Sequence, residues 1–154
     1  MRAVIQRAED VRVKVLKEGV LESRGEFSAG LVVLVGFEKE DGEEDMDYLL
    51  RKIPAMRIFN DEDGKMNLSV EDIRGGIAVV SQFTLYACTK KGNRPSFIRA
   101  CEPNKAKALY DEFVMLIRTK VDKVVTGEFG AYMKIDFVNE GPVTIIIDSK
   151  NREF

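Results

Sequence analysis

Histidine is absent from this chain of 154 residues, and cysteine occurs only at Cys88 and Cys101. Two cysteines are too few for a disulfide scaffold and, without histidine, too few for the usual zinc sites. The lack of histidine also excludes Ser-His-Asp and Cys-His catalysis, so any hydrolysis must proceed without an imidazole base. We therefore expect no metal and no cofactor.

Long hydrophobic runs are also missing. No segment approaches the roughly 18 to 20 apolar residues that span a bilayer. The first ten residues, where a signal peptide needs an apolar stretch, carry charges at Arg2, Arg7, Glu9 and Asp10. The net charge is only −2, which argues against a protein that coats nucleic acid by overall attraction. We expect a cytoplasmic protein without a membrane span.

The length and the hydrophobic content of 45% are typical of one globular domain. Apolar residues that alternate or form short runs predict a hairpin of 2–7 and 11–17, a central strand at 31–36, and further strands at 77–86, 124–125, 133–138 and 143–147. Helical spacing predicts one helix at about 42–56, after a capping pair at Asp41 and Glu44, and a second that begins at Pro103. The pattern therefore predicts a single mixed α/β domain over 1–154, largely β-sheet with two main helices.

The strand predicted at 77–86 changes character along its length. Residues 77–80 are apolar, whereas Ser81, Gln82 and Thr84 are polar where the strand should leave the core. Strand ends often carry site residues, because the sheet fixes the backbone while the side chains emerge at a surface. On its own, the stretch is more typical of a core strand with hydrogen-bonded hydroxyls.

Two motifs together change this interpretation. Ser-Gln-Phe-Thr at 81–84 and Asn-Glu-Gly-Pro-Val-Thr at 139–144 resemble the paired signatures of the D-aminoacyl-tRNA deacylases. Residues 1–7, 64–69 and 94–97 are also similar to that family, so the likeness covers nearly the whole chain. The resemblance implies the deacylase fold. It also implies an enzyme that hydrolyses the ester of D-aminoacyl-tRNA and glycyl-tRNA but rejects L-aminoacyl-tRNA, as proofreading in translation.

The resemblance implies that the catalytic segment consists of Ser81, Gln82, Phe83 and Thr84. With no histidine to activate it, the Thr84 hydroxyl is a weak nucleophile at neutral pH. We therefore favour attack by water, with the oxyanion held by main-chain N–H groups near Phe83 and Thr84 and with help from the ribose 2′-hydroxyl. Nucleophilic attack by Thr84 is the alternative.

The resemblance also implies a substrate-binding set on two subunits of a homodimer. In the family, Gly141-Pro142 has a cis peptide bond and reaches into the partner's active site, where its main chain leaves no room for an L side chain. Gln6 and Arg7 match the start of the family, where the arginine lies near the Gly-Pro segment. Phe129 and Met133 match the part that receives the terminal adenine, although either is nearly as typical of a core residue.

Basic residues follow the catalytic motif at Lys90, Lys91, Arg94 and Arg99. In a slightly acidic chain, such a local basic edge is suited to bind a few phosphates of the acceptor end of tRNA. Without the resemblance, solvated loop charges are the simpler interpretation. The alternative phosphate-binding residues are Arg118, Lys120 and Lys123.

The main alternative function is an RNA-binding or subunit-interaction module in which both motifs are structural. Ala87-Cys88 departs from the Gly-Asp that family members often carry, so the role of this entrance loop stays open. The sequence also leaves open which D-amino acids and tRNAs are preferred.

Overall fold

A five-stranded mixed sheet is the frame of the molecule in the computed structural model, which describes residues 1–153. In chain order the strands are β1 (Arg2–Lys17), β2 (Val20–Gly36), β3 (Phe59–Asn60), β4 (Met66–Leu68), β5 (Gly76–Ser81), β6 (Lys123–Thr126) and β7 (Met133–Asp148). The sheet has the order β6-β5-β2-β1-β7, with β2 at its centre as predicted, and β3 and β4 form a separate hairpin. β1 is antiparallel to β2 and β7, whereas β5 is parallel to β2 and β6.

The first helix, α1 (Glu43–Lys52), is shorter than the predicted 42–56. Its N-cap is Gly42, whose N–H donates to the Asp45 carboxylate at 3.1 Å, so the capping pair lies one residue later than predicted. The helix ends before Pro54, which cannot donate to a helical hydrogen bond.

The second helix, α2 (Pro103–Ile117), begins at Pro103 as predicted. The Glu102 carboxylate caps it by accepting the N–H groups of Asn104 and Lys105 at 2.8 and 3.1 Å. Both helices pack on the sheet, which confirms the predicted mixed α/β fold. Neither they nor any other helix in residues 1–153 is long and apolar enough to cross a bilayer.

The predicted hairpin of 2–7 and 11–17 is wrong, because both segments belong to β1. A register irregularity around Asp10, which has a φ of 51°, bends this strand without reversing it. The chain reverses only at Glu18-Gly19, where both residues have a positive φ.

The predicted strands at 133–138 and 143–147 are also a single strand, β7. It pairs with β1 on both sides of the motif at 139–144, and the pairing is irregular at this motif and again at the irregularity around Asp10. Between the pairs Gln6↔Thr144 and Ala8↔Asn139, residues 140–143 stand opposite one residue, Arg7. The motif is therefore an enlarged bulge in the edge strand of the sheet.

Each face of the sheet buries its own cluster of apolar side chains. Alternate residues such as Ile5 and Val33 point toward the helices and pack in one cluster with Phe113 of α2. Others, such as Val13 and Ala78, form a smaller cluster on the opposite face. This arrangement leaves the carboxyl end of β5 free to open into a cavity.

Candidate active site

A cavity of about 670 Å³ lies at the carboxyl end of β5. Its walls include Ser81, Gln82, Phe83, Phe129 and Met133, so the fold brings together most of the predicted catalytic segment and both residues predicted to receive the adenine. Its volume is within the range of roughly 300–1,000 Å³ that is usual for small-molecule sites.

The catalytic segment is not a continuous strand, because β5 ends at Ser81 and a 3-10 helix (Phe83–Tyr86) follows. The Gln82 N–H donates to the Val35 carbonyl at 2.8 Å, which ties the start of this helix to β2. Phe83 is 56% exposed at the mouth of the cavity, whereas Tyr86 is buried. We call residues 82–86 the catalytic turn.

Hydrogen bonds in the catalytic turn favour main-chain chemistry. The Gln82 side-chain amide donates to the Thr84 hydroxyl at 2.5 Å. No carboxylate or amine in the part of the chain that the structure describes is hydrogen-bonded to Thr84 to act as its base. Over the same residues, the N–H groups of Phe83 and Thr84 donate to no acceptor. Exposed, unused N–H groups are what an oxyanion site requires.

The wall predicted to receive the adenine is held by packing. Phe129 contacts Tyr110, with ring centroids 5.9 Å apart, and the Tyr110 hydroxyl donates to the Val79 carbonyl at 2.9 Å. Met133 packs on Gly127, where an added Cβ would lie 2.0 Å from the methionine sulfur. The two residues therefore present an apolar surface of fixed shape.

Arg7 is buried at 6% exposure and connects the bulge of β7 to the rest of the protein. Its Nη1 donates to the Ile58 carbonyl at 2.8 Å and to the Asn60 side chain at 3.3 Å. Its Nε donates to the Glu140 carbonyl at 3.2 Å, and the guanidinium also pairs with the Glu140 carboxylate. Arg7 is therefore not a solvated arginine at the edge of a strand.

The peptide bond between Gly141 and Pro142 is cis, as in the family that the sequence resembles, and both residues are exposed. The Asn139 side chain spans the bulge: it accepts the Val143 N–H at 3.3 Å and donates to the Thr144 hydroxyl at 3.1 Å. Gln6 donates to the same hydroxyl at 3.4 Å. Side chains of the motif thus hold its own backbone in place.

Gly141 and Pro142, unlike Phe129 and Met133, are not among the residues that line the cavity of the same chain. Ser81 pairs with Val35 near the end of the sheet, while Gly141-Pro142 lies opposite Arg7, further along the strands. β5 and β7 are also separated by β2 and β1. Although β7 contributes Met133 and Ile135 to the cavity, its bulge at 140–143 does not line it.

The basic residues beyond the catalytic turn differ in their contacts. Lys90, Lys91 and Arg94 are exposed, in a loop closed by pairing of Cys88 with Ser96, and none of the three forms an ion pair within residues 1–153. Arg99 instead pairs with Glu38 at 3.2 Å and lies over the Tyr86 ring. Of the four residues, Arg99 is thus already engaged by the protein itself.

Burial raises the pKa of the Cys101 thiol, which lines the cavity, so the surroundings of this thiol do not activate it as a nucleophile. Burial and the nearby carboxylates of Asp41 and Glu38 raise the pKa of Tyr86, which stays neutral. No cluster of acidic or cysteine side chains within residues 1–153 is arranged to hold a metal ion. The cavity therefore offers hydrogen bonds and shape to a substrate.

Sequence patterns missed two residues that support the catalytic turn, Arg2 and Asp148. The Arg2 guanidinium donates to the Leu85 carbonyl at 2.8 Å and to the Asp148 carboxylate at 2.8 and 3.0 Å. These partners are 83 and 146 residues away along the chain, so no local spacing could have revealed the contact.

The family described as D-Tyr-tRNA(Tyr) deacylase matches residues 4–148. The chain is 53% identical over 149 residues to a D-aminoacyl-tRNA deacylase of Thermotoga petrophila, with 97% of each protein covered. It is 51% identical over 154 residues to a D-aminoacyl-tRNA deacylase of Flavobacterium johnsoniae, with 99% of this chain and 100% of the relative covered.

Solved structures share the fold of this chain. A c-Myc DNA Unwinding Element Binding Protein superposes with a TM-score of 0.87 at 38% identity, over 96% of this chain and 98% of that one. A probable eukaryotic D-amino acid tRNA deacylase superposes with a TM-score of 0.79 at 19% identity, over 95% and 97%, which shows a shared fold. Because the family matches most of the chain and the relatives share about half of its residues, this protein belongs to the D-Tyr-tRNA(Tyr) deacylase family.

Proposed function

We propose that this protein hydrolyses the ester bond of D-aminoacyl-tRNA, and of glycyl-tRNA, and leaves L-aminoacyl-tRNA intact. In the cell it would act in the cytoplasm, as proofreading for translation. The observation that carries the proposal is the pair of unused N–H groups of Phe83 and Thr84 beside a cavity of suitable size, in a chain of this family.

Water is the nucleophile in this proposal. It attacks the ester carbonyl, and the N–H groups of Phe83 and Thr84 stabilise the negative charge that develops on the carbonyl oxygen. The bond between the carbonyl carbon and the ribose oxygen then breaks. Of the two protons of the attacking water, one reaches the ribose oxygen with help from the neighbouring hydroxyl of the same ribose. The other passes to solvent as the released amino acid ionises to its carboxylate. An aminoacyl ester is reactive enough for this modest assistance to suffice.

Selection against L-amino acids is assigned to Gly141-Pro142 of a second subunit. Main-chain atoms cannot change rotamer, so a filter built from them rejects the wrong stereoisomer by steric exclusion. A glycyl ester has no side chain to exclude and passes. Because Gly141-Pro142 is exposed and does not line the cavity of its own chain, a two-fold dimer would give each cavity a filter from the partner.

Assembly is the first prediction. β7 is an edge strand that exposes apolar side chains, with Val138 53% and Ile146 42% exposed, and such an edge is suited to pairing with a second copy. Light scattering is therefore expected to give twice the monomer mass. A monomer that is fully active and still selective for D esters would contradict the proposal that Gly141-Pro142 of a second subunit is the filter.

The proposed function is tested by incubating the purified protein with D-tyrosyl-tRNA and, separately, with L-tyrosyl-tRNA. Release of tyrosine from the D ester alone is the expected result. Binding of both tRNAs without release of either amino acid would instead favour the alternative, an RNA-binding or subunit-interaction module.

The role of Thr84 is the second prediction. We expect Thr84→Ala to retain substantial activity, within about tenfold of wild type in kcat, because the donors assigned to the oxyanion are main-chain groups. Single-turnover hydrolysis of D-tyrosyl-tRNA measures the chemical step directly. Complete loss of turnover with normal folding and binding, or a trapped acyl-Thr84 species, would establish the nucleophilic mechanism instead.

The third prediction concerns the contacts that Lys90, Lys91 and Arg94 make with tRNA phosphates. Replacing Lys90 and Lys91 together by alanine is expected to raise KM for D-tyrosyl-tRNA more than it lowers kcat, because phosphate contacts position the substrate without touching the ester. The dependence of KM on salt should also become shallower, since fewer counterions are released. The matched control replaces Lys120 and Lys123, and an effect confined to that control would move the phosphate contacts to the turn after α2 and the start of β6.

A further inference from the structure

Arg2, at the start of β1, joins the catalytic turn to the end of β7. Its Nη1 donates to the Leu85 carbonyl at 2.8 Å, within the 3-10 helix. Its guanidinium also lies over the Tyr86 ring, 5.0 Å from the ring centroid. Arg2 therefore contacts the last two residues of the turn, although it is not among the residues that line the cavity.

Asp148 at the end of β7 holds the Arg2 guanidinium. One of its carboxylate oxygens accepts hydrogen bonds from Nε and Nη2 of Arg2 at 3.0 and 2.8 Å. The other accepts the N–H groups of Lys150 and Asn151 at 3.0 and 3.3 Å. Burial raises the pKa of Asp148, but the hydrogen bonds from Arg2 and Lys150 and the charge of Arg2 hold it below its ordinary value. The carboxylate is thus charged and fully engaged.

The turn needs such support because it is short. A 3-10 helix of four residues has few hydrogen bonds of its own, and the carbonyls at its end have no partner within it. The Leu85 N–H donates to the Gln82 carbonyl at a long 3.3 Å, and the Ala87 N–H to the Thr84 carbonyl at 3.1 Å. Arg2 supplies the partner that the Leu85 carbonyl lacks.

We propose that Arg2, oriented by Asp148, is a positioning residue for deacylation. By holding the end of the catalytic turn, it keeps the N–H groups of Phe83 and Thr84 aimed at the carbonyl oxygen of the ester. It makes no contact with the substrate. The proposal rests on the proposed function, and it adds a contribution to kcat from a residue outside the cavity. Supporting residues of this kind must hold a site within about 0.5 Å of its productive geometry.

The test compares Arg2→Ala with Arg12→Ala. Arg12 lies on the same strand, and its ion pair with Glu26, at 3.3 Å, is largely exposed. Single-turnover and steady-state kinetics on D-tyrosyl-tRNA are measured well below the melting temperature of each variant. Arg2→Ala is expected to lower kcat by about 10- to 100-fold, since a displacement approaching 1 Å costs about that much, while KM stays within about twofold. Arg12→Ala is expected to match wild type.

Two further measurements separate positioning from general stability. Methylguanidinium, which can occupy the space left in Arg2→Ala, is expected to restore part of kcat without changing KM. Arg2→Lys keeps the charge but not the planar fork, and Asp148→Asn weakens the anchor, so each is expected to lower kcat by a smaller factor. If Arg2→Ala does not fold, these two variants provide the same comparison of kcat with KM.

The outcomes distinguish this inference from the proposed function. A wild-type protein that releases no D-tyrosine would overturn the proposed function itself. An active wild type with unchanged kcat in Arg2→Ala, Arg2→Lys and Asp148→Asn would overturn the positioning role alone. A loss of activity that only follows the folded fraction, and that methylguanidinium does not relieve, would reduce Arg2 to a purely structural residue.

Discussion

Replacing Gly141 by alanine is expected to lower the rate of D-tyrosyl-tRNA hydrolysis by about 100-fold, the cost of displacing a positioning element by roughly 1 Å. Gly141 has a φ of 114°, which an L side chain rarely adopts. An added Cβ would lie 2.8 Å from Nη2 of Arg7 and 3.0 Å from Cγ2 of Val143. Arg7 is itself held by the Ile58 carbonyl, so the bulge must shift instead.

Stereoselectivity is expected to change in the same variant. If Gly141-Pro142 is the filter, moving its main chain makes room where an L side chain was excluded, so the difference in rate between D and L esters should narrow. Both rates are measured under single-turnover conditions. Gly64→Ala is the matched control, because Gly64 has a φ of 76° but an added Cβ would meet nothing within 4 Å. Wild-type rates and selectivity in Gly141→Ala would contradict the proposed filter.

Gly36→Ala is expected to reduce kcat by a similar factor, about 100-fold, although it removes no side chain from the site. The catalytic turn packs directly on Gly36: an added Cβ would lie 2.8 Å from the Gln82 carbonyl oxygen and 3.2 Å from Cβ of Leu85. The carbonyl is main chain and cannot rotate away, so the turn itself must move. The N–H groups of Phe83 and Thr84 would move with it. The overpacking should also lower the free energy of unfolding by about 1–3 kcal/mol.

Gly42→Ala is the control for this variant, since an added Cβ there meets nothing within 4 Å. Urea unfolding of both variants separates the loss of stability from the loss of rate, and kinetics are measured where each is fully folded. A normal kcat in folded Gly36→Ala would show that the main chain of the catalytic turn does not carry the chemistry. Activity would then have to be sought in side chains such as Thr84.

Hydrophobic periodicity alone determined most of the secondary structure, because each element buries one face. The run at 31–36 is the central part of the sheet, and the second helix begins at Pro103, as the pattern predicted. Strand continuity could not be predicted in the same way. The irregularity around Asp10 and the bulge at 140–143 interrupt the alternation of apolar and polar residues, as a turn would. The strands nevertheless continue beyond both points, because they pair with neighbouring strands on either side.

Motifs in the sequence also identified the family and nominated both groups of site residues. Their local order sufficed for that, since each motif is short and contiguous. Only the tertiary structure revealed that Gly141-Pro142 stays outside the cavity that the other motif lines in the same chain. It also revealed that Arg7 is buried against the Glu140 and Ile58 carbonyls. The support of the catalytic turn by Arg2 likewise depends on residues that meet only after the first and last strands pair. Contacts between distant segments arise from packing of the whole sheet, so no spacing along the chain encodes them.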